Sequence, residues 1–145
     1  MSKLRRYHIE GYYYFVTCVT FKRIHFLRSN EQLLINSFYK FEKESACSII
    51  SYTILPDHFH IIINVNSIHI SKIMQKIKLS FYRKYKLLID DSVRRVWQNR
   101  FMDHLLRDEK DLYNHLKYIQ DNAVKHKYSK VPEEWEYCKI YYYKM

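Results

Sequence analysis

Four side chains in this sequence have the types and spacings that phosphoryl-transfer chemistry uses. His58 and His60 are separated by one aromatic, Phe59, at the mouth of an apolar run, Ile61-Ile62-Ile63, that reads as a β-strand. Strand side chains alternate faces, so both imidazoles point one way while Phe59, Ile61, Ile63 and Val65 point the other. Far along the chain, Tyr118 and Asn122 stand four residues apart in a helical pattern, one turn from each other. Two imidazoles and one amide oxygen make a three-point site that leaves positions open on a divalent ion. Such an ion polarises a phosphodiester and neutralises the charge developing on it. A phenol alongside can attack the phosphorus. Its pKa of about 10 makes phenolate a far better leaving group than a sugar alkoxide, whose conjugate acid lies nearer water's ~15.7. A phosphotyrosine link would thus keep the bond available to a later hydroxyl, with no nucleotide cofactor. The same residues also have ordinary uses. In a chain with eight histidines, a strand pair is compatible with plain hydrogen-bonded imidazoles, and Tyr118 and Asn122 with a packed ring and a solvated amide.

The elements that must position these groups follow from the apolar pattern. Tyr12 to Phe21 is dense in Tyr, Phe, Val and Thr and reads as a strand. Ser29 followed by Gln32 has the form of a capping box opening a helix over 29–45, with Leu34, Phe38 and Phe41 on one face. Residues 47–55 form a second strand, and the Pro56-Asp57 turn returns the chain through His58 to Val65 as the third. Ile70, Ile73, Met74, Ile77 and Phe81 form the buried stripe of a second helix, with Lys72, Lys76, Arg83 and Lys86 away from it. The stretch from Val96 to Leu106 reads as a loop entering a fourth strand near residue 100. Asp108 caps a third helix whose stripe is Leu112, Leu116, Ile119 and Ala123. This is an α+β order, the ferredoxin-like β-α-β-β-α-β antiparallel sheet followed by one more helix, in a single domain over 1–145. If the first two helices cover the Phe59 face, the histidines lie on the opposite one.

Composition narrows the partner. The formal charge of +10 favours a polyanion, and fifteen tyrosines interleaved with cations suit stacking on nucleic acid or ordinary packing. Cys18, Cys47 and Cys138 are odd in number and far apart, which argues against a disulfide framework or a thiolate zinc site. The basic amino-terminal Met1–His8 leads into no signal-peptide segment, and the longest apolar stretches are strand-sized, so a cytoplasmic protein with no membrane contact is expected. The carboxyl-terminal aromatics Trp135, Tyr137 and Tyr141–Tyr143 are expected to pack rather than stack on bases.

Three stretches resemble the single-tyrosine transposases of the histidine-hydrophobe-histidine (HUH) class, and most closely the REP-associated tyrosine transposases. Leu55-Pro56-Asp57-His58-Phe59-His60 resembles the family's metal motif, usually Met-Pro-Asn-His-Phe-His. Val96–His104 resembles its tryptophan segment, and Tyr118-Ile119-Gln120-Asp121-Asn122-Ala123-Val124-Lys125-His126 its nucleophile helix, usually Tyr-Ile-x-x-Asn-Pro-Val-Lys. Ala123 replaces the proline and the glycine expected soon after Lys125 is absent, which bears on where the helix ends. The resemblance implies His58, His60 and Asn122 as ligands of a divalent ion, Mg or Mn, and Tyr118 as nucleophile. It implies a metal-dependent endonuclease and strand transferase on single-stranded or hairpin DNA, nucleoid-associated, as monomer or homodimer. Lys117, Lys125 and His115 are candidate DNA contacts on the same helix; Tyr82, Tyr85 and Tyr113 are rival nucleophiles without an oxygen ligand four residues on. Asp103 and His104 receive no role. A non-catalytic nucleic-acid binder and a replication initiator or relaxase-like nickase are the alternative readings.

Overall fold

The sheet order is that of the expected fold with one strand added. The structure, a computed structural model, describes residues 12–141. The basic amino-terminal segment and Tyr142–Tyr143 lie outside the described residues. Strands β1 (Tyr13–Val19), β2 (Ser48–Leu55), β3 (His58–Asn64), β4 (Met102–Leu106) and β5 (Cys138–Ile140) form one antiparallel sheet in the order β4-β1-β3-β2-β5. Helices α1 (Glu31–Glu44) and α2 (Ile70–Leu88) pack on one face, and α3 (Glu109–Lys125) on the other. No helix among the described residues is long and apolar enough to cross a membrane.

The alternation of β3 decides everything that follows. Phe59, Ile61 and Ile63 join Leu34, Phe38, Ile73, Ile77 and Phe81 in the larger core beneath α1 and α2. Ile62, one residue out of phase, joins Leu106, Leu112, Leu116 and Ile119 in the smaller core beneath α3. His58 and His60 share the parity of Ile62, so the pleat turns them toward α3. Tyr82 and Tyr85 belong to the larger core, on the wrong side of the sheet to serve as nucleophiles.

Several local readings differ from the structure. Ser29 has φ of 65°, outside the extended range of a helix N-cap, and α1 begins after Asn30, whose side chain instead donates to the Phe26 carbonyl. Gln32 donates to Asn36 one turn on, so no capping box forms. The fourth strand starts at Met102, close to the expected position, after Val96 and Gln98 have bonded back to the chain at the end of β1. Asp108 caps α3 as expected, accepting from the Asp111 amide at 2.8 Å. The carboxyl-terminal aromatics within the described residues are packed: Trp135 donates to the Ile54 carbonyl, and Tyr141 shares a 2.8 Å hydrogen bond with Tyr39. All three cysteines are free, two buried and one half-buried.

The end of α3 is closed without glycine. Lys127 N–H donates to the Val124 carbonyl and Tyr128 N–H to that of Ala123, the paired bonds of a Schellman motif. Lys127 therefore takes φ of 65°, where a β-carbon crowds the next carbonyl. Lys127→Gly should relieve about 1 kcal/mol and raise the thermal midpoint by roughly 2–4 °C. A differential scanning experiment checks this; a fall in midpoint would refute the assigned strain.

Candidate active site

The strand half of the site is built around two fixed imidazoles. His58 and His60 are 6% and 5% exposed, with ring centroids 5.0 Å apart. Both rings are held by the same nitrogen. His58 Nδ1 donates to Asp57 Oδ1 at 2.8 Å, and His60 Nδ1 shares a 2.8 Å hydrogen bond with Thr17 Oγ1, its register partner on β1. Occupying Nδ1 orients each ring and leaves Nε2 as the atom available to a ligand. Burial alone would raise the Asp57 pKa, but hydrogen bonds from His58 and Arg23 outweigh it and hold the carboxyl below its usual range. His58 thus sits against an anionic partner.

The helix half is a stripe on α3 with a four-residue repeat. Tyr118, 37% exposed, sets its ring edge-on to His60 at 5.3 Å and to Phe15 at 5.8 Å. His126, two turns on, sets its ring against His58 at 5.3 Å. Asn122 lies between them in the four-residue repeat and is fully buried. Its Oδ1 and Nδ2 have no hydrogen-bond partner, and neither does His60 Nε2. Buried polar atoms left unpaired cost about 1–3 kcal/mol each, which makes these groups candidates for holding a polar ligand. Two imidazoles and an amide oxygen fit a divalent ion with nitrogen and oxygen ligands.

Burial first, and then the positive neighbours His58, His126 and Lys125, push the His60 pKa down to about 3. An unfolded histidine titrates near 6.5, so between those limits the unfolded chain takes up a proton that the folded one refuses. Stability of the metal-free protein should therefore fall as pH drops from about 6.5 toward 3. His60→Gln should flatten this part of the urea-midpoint profile; an unchanged slope would assign the loss to other groups.

The remaining candidates separate by place. Lys125 holds its ammonium 5.1 Å from the Tyr118 ring, at the site. Lys117 is exposed and paired with Asp121 at 3.3 Å. His115 packs on Phe15 at 4.8 Å and bonds to Asp111, one ring removed from Tyr118. Tyr113 is 52% exposed and faces away from the stripe. Sequence reasoning missed Thr17 and His126. His126 had a findable signal, its place four residues beyond Asn122, whereas Thr17 emerges only from strand register.

A histidine pair on a central strand, with a tyrosine-bearing helix laid across it, defines the HUH class of single-tyrosine transposases. The family model for IS200-like transposases matches residues 8–122. The chain belongs to the IS200-like transposase family, and is an enzyme that acts on DNA. A protein of Haemophilus influenzae is 33% identical over a 163-residue alignment covering 97% of this chain and 86% of its own. The REP-associated tyrosine transposase of Escherichia coli K12 is 30% identical over 140 residues, covering 94% of this chain and 81% of its own. A solved REP-associated tyrosine transposase bound to a REP hairpin superposes with a TM-score of 0.81 at 29% identity, over 95% of this chain and 82% of that one. A structure from Deinococcus radiodurans, 16% identical with a TM-score of 0.58 over 83% of this chain and 97% of that one, shares the fold.

Proposed function

We propose that this transposase cuts and rejoins single-stranded DNA through a covalent phosphotyrosine at Tyr118, at a site where His58, His60 and Asn122 hold a divalent ion. The observation that carries this reading is the Tyr118 ring set against His60, with His60 Nε2 and the Asn122 amide buried and without partners. Tyr118 Oη attacks the scissile phosphorus, forming the tyrosyl O–P bond as the P–O3′ bond breaks. The phenol loses its proton and the departing 3′ oxygen gains one, leaving a 5′ phosphotyrosine and a free 3′ hydroxyl. The ion, when bound, supplies charge neutralisation at the phosphate, and a ligand set with two nitrogens favours Mn²⁺ over Mg²⁺. Lys125, held against the Tyr118 ring, meets the backbone of the strand. Lys117, one residue before Tyr118 on the same helix, extends that contact. The solved relative bound to a REP hairpin supports a substrate whose cleaved single strand adjoins a hairpin.

The test is an end-labelled single strand carrying a hairpin, incubated with the protein and Mn²⁺ or Mg²⁺ and resolved on a denaturing gel. The expected product is a protein–DNA adduct whose linkage maps by mass spectrometry to the peptide containing Tyr118. An adduct on Tyr113, or cleavage with no adduct, would overturn the assignment.

A further inference from the structure

Across Phe15 from the Tyr118 site, on the same face of the sheet, lies a second cluster with a different composition. His104 on β4 is paired in register with Phe15, and so shares its side of the sheet. Asp111 and His115 are four residues apart on the first turns of α3, on one helix face. His104 Nε2 stands 3.0 Å from Asp111 Oδ2, and His115 Nδ1 3.3 Å from Asp111 Oδ1. The two imidazoles lie nearly parallel, 5.0 Å between centroids. One ligand atom from each of the three residues falls within 4.8 Å of the others.

We infer that His104, Asp111 and His115 form a second metal site, separate from the His58/His60 pair, which takes a borderline transition ion such as Zn²⁺. Around an ion with bonds of about 2.0–2.2 Å, adjacent ligand atoms sit roughly 3.0–3.5 Å apart. The 3.0 Å separation of His104 Nε2 from Asp111 Oδ2 already falls there, and with one ligand atom from each residue within 4.8 Å of the others, small rotations of the rings and the carboxylate close the rest. Two imidazole nitrogens and one carboxylate oxygen select a transition ion over Mg²⁺ or Ca²⁺, which prefer all-oxygen cages. Without an ion, both histidines can donate N–H to Asp111: His104 to its carboxylate, His115 to its carbonyl at 2.8 Å. To ligate, each ring moves its proton to the other nitrogen, so the cluster exchanges hydrogen bonds for metal bonds without changing charge on the imidazoles.

The consequence is mechanical. His104 belongs to the edge strand and the other two ligands to the first turns of α3, so an ion here ties the nucleophile helix to β4. His115 is three residues before Tyr118, so the tie lies one turn from the attacking phenol. This assigns His115 to a cation rather than to direct contact with DNA.

Isothermal titration of metal-free protein with Zn²⁺ alone tests the site. The wild type should bind two ions per chain, and Asp111→Asn and His104→Gln one, with the second affinity weakened at least about tenfold, the loss that even an outer-shell partner causes. The His58→Gln/His60→Gln variant should also bind one, and Zn²⁺ should raise its thermal midpoint; adding Asp111→Asn should abolish that rise. If Asp111→Asn binds as many ions as wild type, the inference is wrong, whichever way the Tyr118 reading stands. If the His58→Gln/His60→Gln variant folds by circular dichroism and binds none, it is equally wrong.

Discussion

Tyr118→Phe should lower strand cleavage by at least about 10⁴-fold, the scale on which enzymes lose rate with their nucleophile, and leave hairpin binding within about twofold. The reason lies in what holds this side chain. Its contacts are made by the ring: edge-on to His60 and Phe15, and under the Lys125 ammonium. Phenylalanine offers the same ring to all three, so the helix, the histidine pair and the cation stay where they are. Only the attacking oxygen is lost. Of the rival tyrosines, Tyr82 and Tyr85 lie across the sheet and Tyr113 points away from the stripe. Single-turnover cleavage on a denaturing gel reads the rate, and filter binding reads the affinity. Cleavage surviving at more than about 1% of the wild-type rate would mean that water or another side chain attacks the phosphorus, and the covalent route would have to be given up.

How much of this was legible in the sequence depends on whether a signal is local. The orientation of His58 and His60 follows from parity within one strand, and Phe59, Ile61 and Ile63 in the larger core show that the alternation holds. The three helices each carry a stripe long enough to read, and their assignment to the two faces follows from which strand residues they cover. Local readings failed where tertiary contacts override sequence. The Ser29 capping box lost to a turn that puts Ser29 at positive φ, and β4 is short and half-exposed, so it lacks a clear alternation. The end of α3, left open by the missing glycine, is set by a lysine in the left-handed region, a strained solution that a propensity argument disfavours.

The site divides along the same line. Tyr118 and Asn122 are visible as a pair because a helix places them one turn apart. The meeting of Tyr118 with His60 is not visible, since it depends on α3 crossing the sheet at one position out of several. Thr17 is further from view still: it becomes the His60 partner only because β1 and β3 pair in the register that sets them opposite. The same holds for His104, which reaches Asp111 and His115 because its own strand places it beside Phe15. The Nδ1 partner of His60 is thus a product of sheet register and that of His58 is its sequence neighbour Asp57, while the histidines themselves are products of strand periodicity.

Asn122→Leu separates stability from function in opposite directions, and so tests the site as a whole. Leucine keeps the branched four-atom skeleton of asparagine, with bulkier methyl groups in place of its polar atoms. In the metal-free protein those atoms are fully buried and unpartnered, each costing on the order of 1–3 kcal/mol, so the variant should be more stable than wild type by about 2 kcal/mol. Across roughly 150 residues that is a rise of about 4–8 °C in the thermal midpoint. The oxygen ligand is lost at the same stroke. Mn²⁺ affinity should fall by at least about tenfold and cleavage by roughly 10²–10³, the range seen when one group that stabilises developing charge is removed. A structural amide would behave otherwise: its removal would lower both stability and activity, or move stability alone. Thermal midpoints with and without Mn²⁺, beside single-turnover rates, distinguish these cases. Loss of stability in the metal-free Asn122→Leu variant would show that the amide is satisfied within the fold, and the three-ligand site would lose its oxygen.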